Sequence, residues 1–361
     1  MAAGAWRTCR ARSGLREIPL NGIACPATDA CVAVGTVGPT RGVASTEALW
    51  WNGRTWRLQH IPTLPGANLN AVSCASETDC VAVGASNAGT LAELWNGENW
   101  TIQATPNPVG KTMAGFTGVS CTSASFCVAV GGGPAGVRTL AERWNGRGWA
   151  IQRTPNPSQG GGLAGVSCTS TVACTAVADL GAAMRWNGTK WTIQPTPSTG
   201  SPGSLFNTVL CTSASSCTAA GELTDSSGNQ FGTLAERWNG RSWHIQPTPV
   251  LPAIGLVNNF SAACPAQSTC IAAGGFENDG PGAKTLTEVW RRGASAAQPA
   301  PGAFSPRAHL GMAGCIRAAM GKGAAVGATA TRIGQRVNAP MLQRSLHVAE
   351  IERIAPLCGT A

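Results

Sequence analysis

Cysteine pairs spaced C-x5-C recur six times in this chain, each followed by the same succession of short segments. No other feature narrows the fold as much. The clearest copy runs from Leu69 to Pro108: LNAVSC, ASETD, CVAVGAS, GTLAELWNG and ENWTIQATPNP. The other copies begin near Leu20, Gly115, Leu163, Leu205 and Val257. Successive first cysteines lie 49, 47, 47, 43 and 53 residues apart. A period in the forties with four strand-like segments per unit is the pattern of a β-propeller blade. A solenoid is the competing architecture, but its units run shorter or carry helices. No helical periodicity precedes residue 300.

Alternation within a unit assigns faces. Val72 and Cys74 share a face of the first segment. In CVAVG, Val81 and Val83 share one face, with Cys80, Ala82 and Gly84 on the other. Leu91, Glu93 and Trp95 fall together, as do Trp100 and Ile102. Apolar residues on both faces fit a sheet sandwiched between neighbours. Small residues in CVAVG suit close packing where blades converge on an axis. Asn-Gly recurs at Asn52, Asn96, Asn145, Asn187 and Asn239. Both residues tolerate the positive φ of tight hairpins. The flanking tryptophans then lie on adjacent strands, free to pair with each other or with the next blade. The Thr-Pro-Asn-Pro run ends a unit, because proline cannot donate to a ladder.

The reading is therefore an all-β propeller of six four-stranded blades over residues 18–293. The sixth unit keeps Cys264, Cys270, Glu288 and Trp290, then loses its Asn-Gly turn and fourth strand. Trp6 stands 19 residues before Cys25, the spacing that separates Trp149 from Cys168. Residues 1–17 thus read as a spare fourth strand able to close the last blade and hide its edge. A truncated larger ring is the alternative. Residues 294–306 read as a linker. Residues 307–361 read as a basic Ala/Gly-rich tail, mostly disordered, with one helical stretch from Met341 to Ile354.

Charge is unevenly placed. Residues 1–17 carry four Arg and one Glu, and residues 291–361 carry eight Arg, one Lys and two Glu. The repeats between hold 13 basic and 14 acidic residues. Nucleic-acid binding needs clustered cations, which excludes it for the repeat body and leaves it to the tail at most. No run of 18 apolar residues is present, so no membrane span is expected. Tyrosine is absent while tryptophan occurs 13 times, which excludes sialidase chemistry with its Tyr nucleophile and galactose-oxidase chemistry with its Tyr ligands.

The pairs Cys25/Cys31, Cys74/Cys80, Cys121/Cys127, Cys168/Cys174, Cys211/Cys217 and Cys264/Cys270 are expected to form disulfides, with buried thiols the alternative. Regular pairing of this kind points to an oxidising, extracellular or cell-surface location. The N-terminus MAAGAWRTCRARSG has no apolar h-region and so no signal peptide, and a start upstream of Met1 would reconcile the two. Zinc is disfavoured because the pairs are spread around the ring without histidine beside them. Redox catalysis wants C-x-x-C. The recurring Glu93, Glu142 and Glu236 each stand two residues before a tryptophan: Trp95, Trp144 and Trp238. The hairpin partners of these tryptophans are Trp100, Trp149 and Trp243. An active site occurs once per ring, so these glutamates are read as structural, accepting a backbone or indole N–H. His60 and His244 read as surface residues. The loops Thr224–Gln230 and Glu277–Gly282, with Asp225, Glu277 and Asp279, match no EF-hand spacing. No catalytic residue, cofactor or metal is assigned.

The combined pattern VSC-x5-CxAVG with TLAE-x-WNG-x-x-W-x-IQ-x-TPNP resembles a repeat family of exported actinobacterial proteins. These are propeller-like and without an assigned activity. The resemblance covers about residues 18–293 and is tightest in the second, third and fifth units. It implies export and a propeller fold, and it transfers no catalytic residue. The absent signal peptide, decayed sixth unit and unrelated tail depart from the pattern. Two functions follow as expectations: a monomeric, non-enzymatic extracellular binding or scaffold module for a protein or glycan, or a polysaccharide hydrolase or lyase. An enzyme needs non-repeated charged residues converging at one mouth. A binder needs an apolar or aromatic patch instead.

Overall fold

The computed structural model describes residues 20–37, 45–108, 114–133, 138–158, 160–197, 199, 203–227, 230–248, 255–266, 269–278, 284–291 and 326–328. Side chains are described within Leu20–Thr248. All regular structure among these residues is β.

Four short strands build each of the first five units. The first comprises β1 (Leu20–Ala27), β2 (Ala30–Val37), β3 (Ser45–Trp51) and β4 (Trp56–Gln59). The second comprises β5 (Asn68–Ser76), β6 (Asp79–Ser86), β7 (Gly89–Trp95) and β8 (Trp100–Gln103). The third has β9 (Gly115–Ser123), β10 (Phe126–Gly132), β11 (Thr139–Trp144) and β12 (Trp149–Gln152). The fourth has β13 (Leu163–Ser170), β14 (Ala173–Ala178), β15 (Ala183–Trp186) and β16 (Trp191–Gln194). The fifth has β17 (Gly203–Ser213), β18 (Ser216–Thr224), β19 (Gln230–Trp238) and β20 (Trp243–Gln246). The sixth has β21 (Gly255–Ala266), β22 (Thr269–Asn278) and β23 (Lys284–Arg291). Within each unit the strands follow chain order in an antiparallel meander. Five units are four-stranded and propeller-like. The sixth has three strands among the described residues, and Trp6, expected to complete it, lies outside them. Residues Val326–Ala328, in the segment read as a tail, form β24 and pair antiparallel with β1. Met341–Ile354 lies outside the described residues.

First strands of consecutive units pack on one another. β1 packs on β5, β5 on β9, β9 on β13, β13 on β17 and β17 on β21. The approach is backbone to backbone, and it fixes which residues fit three positions before the first cysteine. A Cβ on Gly22 would lie 2.9 Å from Ala71 Cα, and one on Gly118 would lie 3.2 Å from Gly165 Cα. The small residues at this contact are therefore those of the first strand. The glycine of CVAVG has another cause. Each first strand slips register beside it, between Leu69 and Ala71 in the second unit. A Cβ on Gly84 would there stand 1.9 Å from the Asn68 carbonyl oxygen. Glycine suits that bulge in the second unit, while the fourth unit makes the same slip opposite Ala178.

Polar side chains of the first strand tie consecutive units together. Ser73 Oγ accepts the Cys121 N–H at 3.0 Å, Ser120 the Cys168 N–H at 2.9 Å, and Ser167 the Cys211 N–H at 2.9 Å. Asn21 and Asn70 donate to the carbonyls of Leu69 and Phe116, each at 2.7 Å. These bonds satisfy buried backbone groups that no sheet ladder reaches. Hydrophobic clusters fill the space between sheets. Ala82, Leu91 and Trp100 of the second unit meet Val32, Val34 and Ala48 of the first. Val81, Val83 and Ala92, on the opposite face, meet Phe116, Leu140 and Trp149 of the third. The face assignment read from alternation thus holds, and full burial of each valine, leucine or phenylalanine among them contributes roughly 1.5–3 kcal/mol.

Candidate functional site

In the second to fifth units the cysteines stand directly opposite one another in the register of first and second strands. Cys25–Cys31, Cys74–Cys80, Cys121–Cys127, Cys168–Cys174 and Cys211–Cys217 are disulfides with Cα atoms 3.9–4.0 Å apart. The hairpin continues past each bridge to a two-residue turn, Glu77-Thr78 in the second unit. Cys264 and Cys270 lie on β21 and β22, and their side chains are outside the described set. Five bridges fit an oxidising environment. No helix among the described residues is long and apolar enough to cross a membrane.

The tryptophans pair across the outer hairpin, Trp95 with Trp100 at 5.6 Å, Trp144 with Trp149 at 5.8 Å and Trp238 with Trp243 at 5.9 Å between centroids. Register places Trp95 opposite Trp100, so Asn-Gly opens a four-residue loop and not a two-residue turn. Asn96 Oδ1 accepts N–H bonds from Glu98 and Asn99 at 3.0 and 2.8 Å, and Gly97 supplies φ +93°. The same Asn-centred loop occurs at Asn52, Asn145, Asn187 and Asn239. The TPNP run is also more than a terminator. Asn107 accepts the Thr90 N–H at 2.9 Å, and Thr105 donates to the Thr90 carbonyl at 2.9 Å. It clamps the start of the third strand.

Glu93 lies on the face of its sheet turned toward the preceding unit, between Ala82 and Ile102 in register. Glu142 and Glu236 repeat the position. All three are buried. The expected backbone or indole donor is missing: neither carboxylate oxygen of Glu93 or Glu142 has a hydrogen-bond partner, nor does Glu236 Oε2. Desolvation pushes each carboxyl up to about 8. The same register position holds Met184 in the fourth unit and Leu49 in the first, both buried. A site that accepts Leu, Met or Glu is an apolar site, and the glutamates fill it as neutral acids.

His60 is exposed, and His244 Nε2 lies 2.8 Å from Asn239 Nδ2 on the outer loop. Asp225 caps its own turn, accepting the Ser227 N–H at 2.8 Å. The Glu277 side chain and Asp279 lie outside the described residues.

A convergent group is found by comparing the outer clefts between consecutive units. The residue before the first tryptophan of the hairpin faces the following unit. In the first unit it is Trp50, stacked on Trp95 at 6.1 Å. In the second it is Leu94, packed into the apolar cluster with the third. In the fourth it is Arg185, whose guanidinium caps Trp238 at 4.7 Å and donates to the Ala214 carbonyl at 2.6 Å. In the third it is Arg143, and there the cleft stays open, with a volume of about 610 Å³. One wall is Ala150–Pro155, along β12 and its exit. The other is the loop Gly188–Trp191. Arg143, Arg153 and Lys190 line it, and no carboxylate, histidine or thiol does. Gln152 fixes the floor by accepting the Trp191 indole N–H at 2.9 Å. The fourth-strand aliphatics expected inside are not covered: Ile151 is 46% exposed, and Leu58, Ile102, Ile193 and Ile245 are exposed likewise. The fourth strand ends each sheet, so its outer half has no neighbouring sheet to bury it.

No protein-family model matches the chain, and no curated protein does. Among solved structures it is similar to a protein of unknown function from Dyadobacter fermentans, with 12% identity and a TM-score of 0.51, over 77% of this chain and 96% of that one. It is also similar to YCF48 bound to D1 peptide, with 11% identity and a TM-score of 0.47, over 75% of this chain and 82% of that one. The likeness is one of fold, propeller-like and all-β.

Proposed function

We propose that this chain is a six-bladed extracellular propeller that acts as a non-enzymatic binding module for a protein or glycan partner. The observation that carries the reading is the cleft between the third and fourth units. Its lining offers cations and indole edges, with no general acid or base among those residues. The recurring carboxylates, which a hydrolase or lyase would need at a mouth, are consumed between blades. Disulfides at five units support location outside the cell, and the 19-residue spacing from Trp6 to Cys25, matching Trp149 to Cys168, supports a fourth strand that closes the ring.

The test uses disulfide-intact protein with a panel of peptides and oligosaccharides. The indole N–H resonances of Trp186 and Trp191 report binding, and reducing-end release from polysaccharides reports turnover. The reading expects indole shifts with some ligands and no release. Release of product at enzymatic rates by the wild type but not by an Asp225→Asn variant would replace it with the hydrolase or lyase reading.

A further inference from the structure

We propose that the cleft between the third and fourth units receives an extended acidic peptide, which adds as a strand to the free edge of β12. This rests on the binding reading above and names the partner's chemistry. Three features converge. First, β12 ends its sheet, in the order β12-β11-β10-β9. Its outer edge carries backbone donors and acceptors not paired with another strand. Such an edge is a template for strand addition, with main-chain bonds giving affinity and alternate side chains giving selectivity. Second, Ile151 stands exposed beside that edge on the face turned toward the preceding unit, where an alternate apolar side chain of an added strand would meet it. Third, Arg143, Arg153 and Lys190 surround the edge with no carboxylate among the lining residues. The repeat body as a whole carries 13 basic and 14 acidic residues, so three cations without an acid is a local concentration.

Three other junctions show why the site occurs here. Trp50, Leu94 and Arg185 occupy the equivalent space after the first, second and fourth units. A glycan fits less well, because sugar rings need an open aromatic face. Trp186 and Trp191 are 8% and 4% exposed, presenting edges and not platforms. Charge complementarity therefore selects an acidic chain, and the strand edge selects an extended one.

The experiment measures fluorescence anisotropy of a labelled (Glu-Val)4 peptide on disulfide-intact protein. Comparison probes are (Lys-Val)4, a (Glu-Val)4 peptide N-methylated on alternate residues, and oligogalacturonate. The expected result is saturable binding of (Glu-Val)4, weakened about tenfold by Arg153→Ala or Arg143→Ala, a change of roughly 1.4 kcal/mol. N-methylation, which blocks main-chain pairing, should weaken it at least about tenfold, and (Lys-Val)4 should not bind. Both arginines reach the cleft from the sheet surface, and Arg153 is exposed, so folding of its variant is secure and is checked by circular dichroism. Oligogalacturonate saturating the Trp191 indole shift while (Glu-Val)4 does not would overturn the peptide inference and leave the binding reading standing. Peptide affinity indifferent to both arginine variants and to N-methylation would also overturn it. No response to any probe or panel ligand would remove both.

Discussion

Replacing Glu93 by methionine should stabilise the protein and lessen its dependence on pH, while Glu142 and Glu236 keep their share of it. The carboxyl is fully buried, has no hydrogen-bond partner, and its pKa rises from 4.5 to about 8 through desolvation. Between those values the unfolded chain has released the proton and the folded one has kept it. Folding stability is thus greatest below the unfolded pKa. It falls by about 1.36 kcal/mol per pH unit as pH rises, and levels off above the folded pKa. By pH 7 the accumulated loss is about 3 kcal/mol for one residue, as an order of magnitude. Methionine has a similar volume, and Met184 already occupies the equivalent position with no exposure. Cavity and overpacking costs are therefore small, under about 1.5 kcal/mol. Urea unfolding of disulfide-intact protein at about pH 5, 7 and 9 reads the effect. The expected outcome is a higher midpoint for Glu93→Met at pH 7, a larger gain at pH 9 and little gain at pH 5. At pH 7 this corresponds to roughly 5–10 °C in Tm. Glu93→Gln should lessen the pH dependence without the full gain, since its amide stays unpartnered. A wild-type midpoint unchanged between pH 5 and 8, or a Glu93→Met variant destabilised at every pH, would refute the reasoning.

Three further outcomes follow from the same geometry. Ser120→Ala removes the acceptor of the Cys168 N–H and should cost about 1–3 kcal/mol by urea midpoint, whereas exposed Ser125→Ala should cost nothing measurable. Gly131→Ala would place a Cβ 1.9 Å from the Gly115 carbonyl oxygen, while Gly133→Ala meets nothing within 4 Å. The first should lose several-fold in soluble yield and the second should match wild type. Intact-mass alkylation of denatured protein should label at least the ten cysteines of the five bridges only after reduction. Reduction of each bridge should cost about 2 kcal/mol.

Periodicity carried the fold because a repeat reports its environment several times over. Cys80 and Ala82 opposite Val81 and Val83 is a two-residue alternation. The structure turns those faces to different neighbours, as alternation requires. The disulfides were legible for the same reason, since cysteines six apart meet across a hairpin. What the sequence did not reveal were roles set by a neighbouring unit. Nothing local marks the serine of VSC as an acceptor for the next unit's cysteine N–H, nor Asn107 as a clamp on Thr90. The glutamates mislead in the opposite direction. A carboxylate implies a donor, yet Leu49 and Met184 at the same register were the available sign that the site is apolar. Aligning the units on their tryptophans would have exposed it.

The cleft was hidden by the feature that made the fold readable. Repetition draws attention to residues that recur, and those hold blades together: paired tryptophans, bridged cysteines, the Asn-centred loop. A ligand site on such a scaffold has to come from a position where the copies disagree. The residue before the hairpin's first tryptophan is Trp50, Leu94, Arg143, Arg185 and Arg237 in successive units. Read alone, Arg143 and Arg185 look equivalent. They differ because Ala214 offers Arg185 a carbonyl and Trp238 offers it an indole face. Arg143 lies instead in the open cleft with Arg153 and Lys190. Identity at one position thus gives opposite outcomes, sealing one junction and charging the next, and the neighbouring unit decides which.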